Sequence, residues 1–154
     1  MIMRIAVFIL SMLVLAGCET PGPSSAPSRP AGPARPKQQP TPSHTLGPAA
    51  RALVGQAHSQ TAAGEFATAA ATIERALRIE PENPLLWIEL GKVREAEGNH
   101  AQAEAMARKA LIVAGNDARA QSAAWKLIAQ SLRSRGRNAE AREADARASR
   151  PTTH

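Results

Sequence analysis

The sequence predicts an all-α fold: six helices in about three helix–turn–helix pairs, preceded by a disordered proline-rich linker. Two observations carry the prediction. When the chain is aligned with itself, Gly64, Gly98 and Gly136 recur at intervals of 34 and 38. Ala69, Ala103 and Ala141 keep the same two intervals, as do Ala76, Ala110 and Ala148, while Trp87 and Trp125 repeat the longer one. Several positions in register at such a spacing mark a repeated supersecondary unit. The second observation is a break in composition near residue 48, because nine of the twelve prolines lie between Glu19 and Pro48.

The first element, residues 1–17, is an export signal. One basic residue, Arg4, precedes an apolar run from Ile5 to Ala16, too short to span a bilayer but suited to a secretory core. The small residues Ala16 and Gly17 lead into Cys18, the only cysteine of the chain. Leu15-Ala16-Gly17-Cys18 resembles the lipobox of bacterial lipoproteins. That resemblance implies a diacylglycerol thioether and an N-acyl chain, palmitate among them, on Cys18. Each buried methylene contributes about 0.8 kcal/mol, and two or more chains anchor stably. Aspartate after the cysteine favours inner-membrane retention in such lipoproteins. Glu19 stands there instead, followed by Thr20 and Pro21, so the resemblance implies the outer membrane, facing the periplasm. With Cys18 lipidated, no thiol is left for a disulfide, a metal site or a nucleophile.

The second element is the tether, residues 18–48. Leu46 is its only large aliphatic residue, so it cannot bury enough surface to offset its ordering entropy and is expected to be disordered with polyproline-II bias. At about 3.1 Å per residue it reaches up to roughly 90 Å. It is either a passive spacer or, through Arg29, Arg35 and Lys37, a segment that lies against anionic cell-wall polymer.

The third element, residues 49–150, is the helical domain, with a tail at 151–154. Helices are predicted at about 49–63, 66–79, 84–97, 100–114, 118–135 and 138–149. The repeated alanines let two helix backbones approach closely, and the glycines permit a left-handed cap between helices. Asn83-Pro84 is a start signal, a good N-cap before proline at the first helical position. Pro81 stops the helix before it. The four extra residues before Trp125 lengthen either a loop or the fifth helix by one turn. The last helix, rich in Ala, Arg and Glu, has a thin apolar stripe that suits a solvent-facing cap.

Trp87-Ile88-Glu89-Leu90-Gly91 followed by Gly98, Ala103 and Ala110 resembles the tetratricopeptide repeat. Gly64-Glu65-Phe66 with Ala69, Ile73, Ala76-Leu77 and Pro81 matches its second-helix half. Trp125, Ile128-Ala129, Gly136, Ala141 and Ala148 form a third unit that departs at Asp145, where a large apolar residue is usual. The resemblance implies a short right-handed superhelix whose cores close by stacking, for which about three repeats are the minimum.

The net charge is +6 and the pI about 10.7. Eight Arg/Lys lie in residues 118–154, and six glutamates in 80–104. Such basicity suits nucleic acid in the cytosol, but the export signal and the lack of aromatic-interleaved basic motifs point to an acidic periplasmic partner or anionic lipid. His44, His58, His100 and His154 are scattered without ligand spacing. No nucleophile motif or phosphate-cradling loop is present, so neither an enzyme nor a metal or cofactor site is expected.

In the repeat family the first helix of each unit lines a groove for partner peptides. Carried over by register, that face holds Arg51, Val54 and His58, then Ile88, Lys92 and Glu95, then Lys126, Gln130 and Arg133. The resemblance implies a mainly basic groove suited to an acidic strand. Trp87 and Trp125 are expected as core wedges. A lipobox, a short proline-rich tether and one small repeat domain together resemble the outer-membrane lipoproteins that activate a bifunctional penicillin-binding protein, a peptidoglycan synthase. Ala76-Leu77-Arg78-Ile79-Glu80-Pro81, Asn83-Pro84-Leu85-Leu86-Trp87 and Trp125-Lys126-Leu127-Ile128-Ala129 carry that likeness. It implies a non-catalytic partner that reaches through the wall and docks on the synthase. The alternatives are a scaffold or pilotin of an envelope machine such as the type IV pilus, and an adaptor for a periplasmic protease.

Overall fold

The helices end where their caps dictate. A computed structural model describes residues 43–150. The signal segment 1–17, Cys18, the tether up to residue 42 and the tail 151–154 lie outside the described residues. Within that range the chain forms α1 (Pro48–Ala62), α2 (Phe66–Ile79), α3 (Pro84–Ala96), α4 (His100–Val113), α5 (Ala118–Ser134) and α6 (Asn138–Ala148), with no strand among the described residues. Every boundary falls within one residue of its expectation.

Inside each pair the turn is made by the repeated glycine. Gly64, Gly98 and Gly136 have φ of +80°, +85° and +75°, which only glycine adopts without steric cost. The following N–H then closes each helix from outside: Glu65 onto the Gln60 carbonyl, Asn99 onto Arg94 and Arg137 onto Leu132, at 2.9, 2.8 and 2.9 Å. This is the six-to-one bond of a Schellman cap.

Between pairs, a side chain starts the next helix. The Asn83 side chain accepts from Leu85 N–H at 3.1 Å. Asp117, one repeat interval later, accepts from Arg119 and Ala120 N–H at 3.0 and 2.9 Å. Because the caps are 34 apart and the tryptophans 38, the four extra residues fall between cap and tryptophan. They are therefore helical, and α5 has 17 residues against 13 in α3.

Helices pack in chain order, and α3 also touches α1 and α5, whereas α2, α4 and α6 touch only their chain neighbours. The first helices of the pairs thus form a continuous inner layer and the second helices an outer one. The alanines at the crossings have almost no exposure: Ala69 and Ala103 0%, Ala141 1%, Ala76 and Ala110 0%. One apolar cluster holds Ile73, Leu86 and Leu90 with α1, the other Ile88, Leu127, Ile128 and Leu132 with α6. Trp87 packs against both clusters and so joins neighbouring repeats. Fully burying an Ile or Leu contributes about 1.5–3 kcal/mol, so these clusters are the main source of cohesion.

The folded unit begins earlier than the sequence suggests. Residues 43–47, read as the end of the tether, run across the N-terminal edges of α3 and α5. Gly47 N–H donates to Glu80 Oε1 at 3.0 Å, Asn83 Nδ2 donates to the Thr45 carbonyl at 3.0 Å, and His44 N–H donates to Asp117 Oδ2 at 2.6 Å. Leu46 packs on the first cluster. The tether's one large aliphatic side chain is thus the one that ties its end to the domain.

Candidate functional site

The inner layer contains the nine positions carried over by register, and burial divides them. Val54 (7% exposed) and Ile88 (3%) belong to the apolar clusters. Arg51, His58, Lys92, Lys126, Gln130 and Arg133 are exposed. Glu95, expected in the groove, is instead 9% exposed and internal. Its Oε2 accepts from Ser131 Oγ at 2.7 Å and its Oε1 from Ser134 Oγ at 2.8 Å, with His100 Nδ1 2.9 Å away. Burial pushes this carboxyl up, but the two serine hydroxyls and His100 outweigh that and hold it below its ordinary value. Glu95 is a clamp among α3, α4 and α5. Register alone could not show this, because a helix position that opens outward in one repeat is closed off by serines of the next.

The exposed positions are less basic as a set than their residue types. Glu89 accepts from Lys92 Nζ at 2.7 Å and faces His58 Nε2 at 2.7 Å, so one carboxylate ties α1 to α3 and neutralises Lys92. Arg133 Nη1 donates to Asp145 Oδ2 at 2.6 Å, which gives the polar residue at that usually apolar position of α6 its role. Arg51 donates to the Leu46 carbonyl at 2.8 Å. Lys126 has no acidic partner among the described residues. Exposed ion pairs of this kind contribute about 0–1 kcal/mol each, so a partner can exchange them at low cost.

A second polar knot lies at the C-terminal end of α5. Glu104, 7% exposed, accepts from Arg108 at 2.7 Å and Arg135 at 2.6 Å, with Arg137 at 3.4 Å. Arg137 also pairs with Glu140, and that hydrogen bond lowers the Glu140 carboxyl and raises the guanidinium. The knot fastens α4 to the α5–α6 turn. Glu89, Glu104, Asp117 and His44 were not singled out from the sequence. The one signal available was Asp117, which repeats Asn83 at the interval of 34.

Comparison with known proteins agrees with this architecture. The family model described as Tetratricopeptide repeat matches residues 60–130. Among solved structures, the globular C-terminal domain of LpoP from P. aeruginosa is 38% identical, with a TM-score of 0.64. The alignment covers 68% of this chain and 98% of that domain. No curated protein sequence matches the chain.

Proposed function

This chain belongs to the LpoP-like family of tetratricopeptide-repeat proteins, and from that membership we propose that it is a lipid-anchored periplasmic module that binds and activates a penicillin-binding-protein peptidoglycan synthase. The observation that carries the proposal is the 38% identity over nearly the whole of the LpoP domain. The lipobox-like Leu15-Ala16-Gly17-Cys18 supports the anchor, with diacylglycerol and an N-acyl chain on Cys18 and delivery to the outer membrane. A repeat fold of this kind is a protein-interaction module, and the polar clusters found in it are spent on joining helices.

Activation in this reading is allosteric. The anchor limits where the domain can meet the synthase, and the tether sets its reach through the wall. Docking then favours a conformation of the synthase with faster glycan polymerisation and crosslinking, and the bias equals the difference in affinity for its two states. No group on this chain needs to touch the reacting sugars.

The test is retention of a penicillin-binding protein from detergent-solubilised envelope by the full-length chain, followed by a polymerisation assay. Retention together with a raised rate is expected. If the synthase is retained by neither the lipidated chain nor the chain with Cys18→Ser, and its rate is unchanged, the proposal fails. Reversal of Lys92, Lys126 and Arg133 to Glu then asks whether the inner layer is the docking face. Unchanged binding removes that face.

A further inference from the structure

The outer layer repeats a cleft, and its two copies differ. The first copy lies between α2 and α4 over α3. Trp87 and Leu90 form its floor, Leu77 and Met106 its walls, and Pro81 closes one end. It is open, with a volume of about 450 Å³. The second copy lies between α4 and α6 over Trp125 and Ile128 of α5, with a volume of about 220 Å³. The floors correspond at the interval of 38, and so do the cations above them: Lys109 Nζ stands 5.8 Å from the Trp87 ring and Arg147 Cζ 4.7 Å from that of Trp125.

What distinguishes the copies is charge. In the second, Glu140 and Glu143 line the wall opposite Arg108, and Arg108 is held by Glu104. That copy carries its own counter-ions. In the first, position 105 is alanine where the second has Glu143, and position 106 is Met where the second has Ala144. Arg78 and Glu74 line its α2 side and Lys109 stands over Trp87 from α4; Arg78 and Lys109 have no carboxylate partner among the described ion pairs, while Glu74 faces Arg94 at 3.9 Å. An apolar floor flanked by two cations that hold no ion pair, against the single carboxylate of Glu74, is complementary to an apolar side chain flanked by carboxylates.

We propose that the α2–α4 cleft docks an extended acidic–apolar segment of a partner protein, with the apolar side chain on Trp87 and the flanking carboxylates on Arg78 and Lys109. The inference rests on the reading of this domain as a protein-interaction module and is independent of the partner being a synthase. It places docking on the outer layer rather than on the inner face where the repeat family is expected to hold peptides. The second cleft is a built-in control, since it has the same floor with two carboxylates, Glu140 and Glu143, against its two cations, Arg108 and Arg147.

Trp87 and Trp125 are the only tryptophans, one per cleft, so fluorescence reads each separately. The probe is the tetrapeptide acetyl-Glu-Leu-Phe-Glu-amide, with acetyl-Lys-Leu-Phe-Lys-amide as control, titrated into full-length protein in detergent. In the Trp125→Phe chain the acidic peptide is expected to shift Trp87 emission saturably. The double variant Arg78→Glu, Lys109→Glu weakens that binding at least tenfold, the lysine peptide gives no shift, and the Trp87→Phe chain shows no response at Trp125. Absence of a saturable shift, or an equal shift with the lysine peptide, overturns the proposal. So does a Trp87 already shielded from acrylamide without peptide, which means the chain's own N-terminal segment fills the cleft. Sedimentation showing that the double variant dissociates a dimer gives the cleft to a second copy and likewise overturns it. A synthase retained equally by wild type and double variant removes this cleft while leaving the proposed function standing. A positive peptide titration without synthase retention does the reverse.

Discussion

His44 and Asp117 meet across 73 residues of sequence: the imidazole Nδ1 and the backbone N–H of His44 lie 2.9 and 2.6 Å from the same carboxylate oxygen, Asp117 Oδ2. The other oxygen of Asp117 caps α5. One side chain therefore starts the third repeat and fixes the point where the chain from the N-terminus joins the domain. Anything that loosens it changes both the stability of α5 and the hold of the domain on residues 43–47.

Replacement of Asp117 separates these two roles. Asp117→Ala loses the cap and the clasp and is expected to destabilise the fold by about 1–2 kcal/mol, read by chemical denaturation. His44→Ala loses only the imidazole half of the clasp and keeps its backbone N–H on Asp117 Oδ2. It should cost less than half as much and raise amide hydrogen exchange at residues 44–47 by less than Asp117→Ala does. Equal stability losses in the two variants contradict the division of roles.

Acid should loosen the same joints. Burial pushes the Asp117 carboxyl up, but the Ala120 and His44 N–H groups and the His44 imidazole outweigh it and leave it below its ordinary value. Glu95 is lowered in the same sense. A depressed carboxylate stabilises the fold above its unfolded value and loses that contribution as pH falls through its folded value. The melting temperature is therefore expected to change little owing to these groups between pH 7 and about 5 and to fall below about 4. Glu95→Gln should flatten part of that fall. An unaltered acid limb in that variant refutes the assignment.

Gly91 is set by packing rather than by backbone conformation. A Cβ there would lie 2.7 Å from Leu127 Cδ2, 3.2 Å from the Ala103 carbonyl and 3.3 Å from Met106 Cβ. Gly91→Ala is expected to destabilise by about 1–3 kcal/mol from overpacking, against a helix-propensity gain of up to about 1 kcal/mol. The equivalent positions Ala57 and Ala129 already hold alanine with 0% exposure, so the tightness belongs to the middle repeat. A gain in denaturation midpoint for Gly91→Ala contradicts this packing.

Removal of Glu104 leaves Arg108, Arg135 and Arg137 around an empty site. Glu104→Ala is expected to cost about 1–3 kcal/mol, since the arginines are partly solvated and their repulsion is screened. Salt should restore part of the loss. A Tm difference from wild type that is the same at low and high ionic strength argues against charge repulsion as the cause.

Much of the fold was legible because it is local and repeated. Gly64, Gly98 and Gly136 each announce a left-handed cap, Asn83-Pro84 announces a helix start, and the alanine positions announce close crossings. Each of these is a backbone requirement satisfied within a few residues of chain. The interaction surface was legible only as a list of register positions. Glu95 was among them and proved internal, because Ser131 and Ser134 of the next repeat close over it. Lys92 and Arg133 were read as groove cations, but Glu89 and Asp145 neutralise them. Trp87 and Trp125 were read alike, and they differ in the charges that the outer helices bring above them.

The sequence by itself determined the repeat, its six helices and their boundaries, while the structure decided that the four extra residues form a turn of α5. The repeat and its boundaries depend on hydrophobic period, caps and glycines, all of them near-neighbour effects. Tertiary structure alone decided where the domain begins, which charges remain unpaired and which of two equivalent clefts stays open. Those outcomes depend on groups far apart in sequence, such as His44 with Asp117 or Arg135 with Glu104. Electrostatic pairing is settled by distance in space, and spacing along the chain does not encode it.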